Sequence, residues 1–168
     1  ARLPDLPVKV VPFAKGRETA QDMAKNFPRI LADARPDLVI WQTGTVDAIR
    51  GVDADQFRQV LEGGIRTVKR GRADIMMMNM QYSPRTESVI ALTPYADTMR
   101  VIAQQASVPL FDRLALMRQW SESGEFDLYA ARKDTVLAKR VHDCIGKAIA
   151  VMIVNAGGLA GIIPSRSR

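Results

Sequence analysis

Leu38-Val39-Ile40-Trp41-Gln42-Thr43-Gly44-Thr45-Val46-Asp47 runs from an unbroken apolar stretch into a glycine-containing turn with an acidic residue just beyond it. A strand with one wet face alternates apolar and polar side chains; a continuous run such as Leu38 to Trp41 suits a strand covered on both faces. In an open α/β sheet, ligands sit outside the carboxyl ends of the strands. These ten residues therefore predict both a fold and the edge where a site belongs.

Working outward, strand-like and helix-like segments alternate. Val8–Val11 reads as a short strand. Thr19 to Ala34 places Met23, Phe27, Ile30 and Leu31 at helical spacing, with Pro28 as a kink or break. Asp53 or Asp55 caps a helix carrying Phe57, Val60, Leu61, Ile65 and Val68 on one face and stopping near Gly71. Ala73–Met80 is a further strand whose four methionines read as core filler. Gln81–Thr93 reads as a polar loop, and Pro94–Ala106 as a helix with Tyr95, Met99 and Ile102 inward. Val108–Phe111 is the last strand, with Asp112 at its tip as the N-cap of a helix ending near Trp120. After a loop, Asp134 opens a long helix with Leu137, Val141, Ile145, Ile149 and Met152 in one stripe. This order predicts a parallel sheet with helices on both faces. It also predicts one α/β domain over residues 1–156 and a flexible tail over 157–168.

Composition fits that class. Of 168 residues, 47% are hydrophobic and 25% charged, and the net charge is +6. The basic excess is spread along the chain, so Lys69–Arg72 and the terminal Ser165–Arg168 read as solvated ends rather than a nucleic-acid face. Cys144, the one cysteine, falls on an apolar helix face as an inert thiol, and an intrachain disulfide is impossible. His142 is the one histidine, so a histidine-based metal site is not assembled, and no run is long and apolar enough to span a membrane.

The segment Gln42-Thr43-Gly44-Thr45-Val46-Asp47 resembles the third block, Gly-x-Asn-Asp, of the SGNH/GDSL hydrolase family. Val10-Val11 leading to Gly16-Arg17-Glu18-Thr19-Ala20 resembles its second block. Met78–Pro84, Pro109–Asp112 and the helix from His142 to Ile153 are similar to later parts of it, in order. The resemblance implies a flavodoxin-like three-layer α/β/α sandwich. It further implies hydrolysis of esters of acylated small molecules, lipids or sugars by a serine nucleophile, and no cofactor. Many bacterial members are exported, which favours a periplasmic or secreted home.

Departures accompany the resemblance. The Gly-Asp-Ser block of the family's first strand is not among these residues, and the expected sheet accordingly shows a gap or a strand supplied from elsewhere, by another copy or by further chain. Ser83, Ser88 and Ser107 read as turn and loop serines. Either Gly16 or, on a strict count, Arg17 stands where the family presents a backbone N–H to the oxyanion. Val46 replaces the asparagine whose side chain donates there, and one such donor is worth roughly 2.7–4 kcal/mol of transition-state stabilisation. Asp47 is either the retained acid or a turn cap. His142 is either the general base, with Lys139 in the place of its aspartate, or a helix-face residue, if Asp134 is that aspartate and Leu137 stands for the histidine. The expected site is thus His142 and Asp47 for the chemistry, and Gly16, Arg17, Gly44, Thr45 and Val46 for the pocket. The alternatives are an inactive scaffold of the same shape that binds a ligand or protein, and, more remotely, a basic phosphate- or nucleic-acid-binding module.

Overall fold

A computed structural model of the chain describes residues 7–130 and 134–156. The chain divides into two compact units, Ala14–Tyr129, and Ala1–Phe13 with Ala130–Arg168. The expected tail over 157–168 lies outside the described residues.

The larger unit is built on a parallel sheet of three strands in the order β1 (Leu38–Gln42), β2 (Asp74–Met78), β3 (Leu110–Phe111). Parallel neighbours need helical crossovers. These are α3 (Thr45–Ile49) with α4 (Ala54–Arg70), and α5 (Pro84–Glu87) with α6 (Thr93–Gln105). Two short helices, α1 (Ala20–Ala24) and α2 (Phe27–Ala34), precede β1, and α7 (Arg113–Glu122) follows β3. The register pairs Leu38 with Asp74 and Gln42 with Met78, so the β1 and β2 tips end level.

The core follows from this order. Trp41, 3% exposed, points from β1 onto α4, where Gly64 leaves room for its ring, and it meets Phe27 of α2 edge-on at 4.9 Å. Ile75, Met76, Met77 and Met78 of β2 are all buried, as expected of filler in a strand covered on both sides. Asp53 caps α4 by accepting from the N–H groups of Asp55 and Gln56.

Several expectations give way. Val8–Val11 forms no strand; the segment is exposed, Val10 to 80%. Intrinsic β preference orders a strand only against a neighbour. β1 is not covered on both faces, since Ile40 is 42% exposed and Gln42 is exposed too. The other edge of β1 pairs with no strand among the described residues. The helix read from Thr19 to Ala34 is two helices. Pro28 lacks an N–H and its ring clashes with the carbonyl four residues earlier, which breaks the helix at Lys25–Asn26. β3 shrinks to two residues because Pro109 cannot donate to the ladder; its carbonyl still accepts from Met77 N at 2.8 Å. The loop after β2 contains α5, started by Ser83, whose hydroxyl accepts from Thr86 N.

The smaller unit contributes α8 (Thr135–Ala156), opened by Asp134, whose carboxylate accepts from the N–H groups of Val136 and Leu137. Val141 and Ile145 of the expected stripe are buried. Cys144 is half-buried, more open than expected.

Candidate functional site

At the tip of β1 the chain turns at Gly44 with φ 102°, a left-handed conformation that favours glycine. There is no room for a side chain either: a Cβ would stand 2.6 Å from Met80 Sδ. Thr45 begins α3 directly, and three residues past the turn Asp47 is carried inward to 2% exposure. Both of its carboxylate oxygens accept from Ala20 N–H, the first amide of α1. Burial pushes the Asp47 carboxyl above its ordinary range, and the N–H groups of Ala20, Asp47 and Gly44 pull back against it. The Thr43 hydroxyl beside it is enclosed without a well-formed hydrogen bond, although it lies near enough to favour the charged carboxylate.

The start of α1 is fixed twice over. Thr19 and Asp22 form a capping box, each side chain accepting from the other's backbone N–H. These bonds hold the Asp22 carboxyl below its usual range. Arg17 has φ 65°, a left-handed conformation at a residue with a side chain, and its carbonyl accepts from Arg50 Nη2 at 2.9 Å. The turn of the second block and that of the third are therefore joined by Asp47 and Arg50. Beside this junction lies a cleft of ≈ 210 Å³, walled by Thr19, Asp22, Asp47 and Arg50 with Phe57 and Val60 as its apolar part. Tyr95 closes the region by donating its hydroxyl to Val52 carbonyl at 2.6 Å.

Of the residues expected in the pocket or the chemistry, Asp47 alone lines that cleft. Gly44 is buried under Met80 and Met99; Thr45 and Val46 are half-buried; Gly16 and Arg17 are exposed. His142 is exposed on α8, in the other unit. No group of three or more His, Cys, Asp or Glu among the described residues is placed to hold a metal, and no described helix is long and apolar enough to cross a membrane.

The sheet edge carries a second polar cluster, built on Asn79 and Asp112. Asn79, fully buried just past β2, donates Nδ2 to Asp112 Oδ1 at 2.7 Å and accepts from Leu114 N. Asp112 also caps α7 through Ala115 N, as expected, and pairs with Arg100. Burial raises the Asp112 carboxyl, but the bonds from Asn79, Ala115 and Arg100 outweigh it and leave it below its usual range. The single polar residue in Met78-Asn79-Met80 was the available signal for this cluster.

No curated protein sequence matched the chain. Among solved structures, it is similar to the esterase EstA from Pseudoalteromonas sp. (15% identity, 80% of this chain and 74% of that one, TM-score 0.54). It is similar to AlinE4, an SGNH-hydrolase family esterase (18%, 82% and 72%, TM-score 0.53). It also resembles a lipolytic protein of the G-D-S-L family from Desulfitobacterium hafniense DCB-2 (18%, 57% and 54%, TM-score 0.50), of which it spans about half the length. These likenesses establish an ester-hydrolase-like α/β fold. The profile of the Non-GDSL lipase-like family matches residues 1–158, and the chain belongs to that family.

Proposed function

We propose that this chain forms the scaffold of a serine ester hydrolase acting on an acylated small molecule, lipid or sugar. The observation that carries the reading is the junction at Asp47, which fastens the Gly16–Thr19 turn to the Gly44–Asp47 turn at the carboxyl edge of the sheet. In this reading Asp47 is a positioning residue: a carboxylate facing a developing oxyanion would oppose it, whereas one capping α1 holds the turn that presents backbone N–H groups. The nucleophile is a serine outside these 168 residues, on a strand seated along the open edge of β1. His142 is its general base, taking the serine proton and returning it to the leaving alcohol. With valine at position 46, the oxyanion relies on backbone donors, so turnover is modest.

The test is labelling with a fluorophosphonate and hydrolysis of p-nitrophenyl acetate by the protein that carries this chain. The expected result is one labelled serine outside the 168 residues, with turnover abolished in His142→Ala. Because His142 is exposed, that substitution leaves stability within about 0.5 kcal/mol. A label on Ser83, Ser88 or Ser107, or turnover unchanged in His142→Ala, overturns these assignments. Absence of both labelling and turnover favours the non-catalytic scaffold.

A further inference from the structure

Arg113 opens α7 at the carboxyl edge of the sheet, two residues past Phe111 of the last ladder pair. It is 5% exposed, and its Nε is enclosed with no acceptor. Among the described residues no carboxylate pairs with it. Asp112, its neighbour in the chain, binds Arg100 instead. The helix terminus is not what lacks a partner, because Leu114 N donates to Asn79 and Ala115 N to Asp112. Burial lowers the guanidinium to about 10, so it still carries its charge at neutral pH. An isolated buried charge is costly, and an unsatisfied buried donor in a native fold marks a place for a partner. The planar guanidinium fork matches two adjacent oxygens of a carboxylate or phosphate, which a lysine would not.

We propose that Arg113 anchors an oxyanion-binding subsite at the carboxyl edge of the sheet, taking a small ligand that bears a carboxylate or phosphate. This goes beyond the hydrolase reading and is tested without turnover. The protein that carries this chain is unfolded thermally at neutral pH and constant ionic strength, with succinate or inorganic phosphate titrated in. Wild type is compared with Arg113→Met and Arg113→Gln. The midpoint of wild type rises saturably with at least one anion, and the apparent Kd weakens about tenfold or more in both variants. Response to succinate alone assigns a carboxylate ligand; response to phosphate alone assigns a phosphate. Without anion, Arg113→Met unfolds above wild type, because an apolar chain replaces an unpaired charge. No anion response in wild type, or an equal one in both variants, overturns the proposal. So does a wild type more stable than Arg113→Met without anion, which would mean that the chain itself pairs the guanidinium.

Discussion

The carboxylate of Asp47 grips the amide of Ala20 with both oxygens, at 3.0 and 3.1 Å, across 27 residues of sequence. A side chain from α3, after β1, thus caps α1, two elements before β1. Asp47→Ala leaves a buried N–H without its acceptor and is expected to cost about 1–3 kcal/mol. Asp47→Asn retains one carbonyl oxygen and is expected to lose less. Urea midpoints at unchanged m-value measure both; an Asp47→Ala variant as stable as wild type would show that the grip holds nothing.

Asp47 and Asp112 respond to pH in opposite directions. Burial lifts the Asp47 carboxyl above its ordinary 3.8, so the folded state holds that proton more tightly than the unfolded chain. Its contribution is complete below 3.8 and is lost as pH climbs through the raised folded value. Asp112 lies below 3.8, so its contribution is present above that value and is lost as pH falls through the depressed folded one. The stability difference between wild type and Asp47→Asn is therefore expected to shrink as pH rises from about 3 to 7. The difference between wild type and Asp112→Asn is expected to grow over the same range. Parallel curves for the two variants would refute the assignment.

What could be read from sequence divides along physical lines. β1, β2 and α4 were legible because apolar residues leave a local pattern: Leu38 to Trp41 in one run, and Phe57, Leu61, Ile65 and Val68, all buried, at helical spacing. Pro28 and Pro109 carried their own warnings, through the missing N–H. Val8–Val11 misled because strand preference is realised only against a partner. Asp47 was legible as a residue of interest but its partner was not, since nothing local links it to Ala20. Asn79 was hidden among methionines, and Arg113 by the ordinary expectation that charged side chains stay wet.

The paired glycines of α4 offer a sharper test of the packing under β1. A Cβ on Gly64 would stand 2.6 Å from two atoms of the Trp41 ring and 3.2 Å from Phe27, whereas one on Gly63 would meet only the end of Arg66 at 4.0 Å. Adjacent positions on one helix therefore respond with opposite sign. Gly63→Ala gains helix propensity without a clash and is expected to stabilise by about 0.5–1 kcal/mol. Gly64→Ala drives the indole off its seat and is expected to destabilise by about 1–3 kcal/mol despite the same gain in propensity. Because Trp41 is the displaced group, Gly64→Ala should also shift the native tryptophan emission, and Gly63→Ala should leave it unchanged. Trp120 contributes equally to both spectra, and its edge contact with Phe126 lies outside α4. The same sign for both substitutions would mean that Trp41 is not seated on Gly64, and with it would go the face of the sheet that α4 covers.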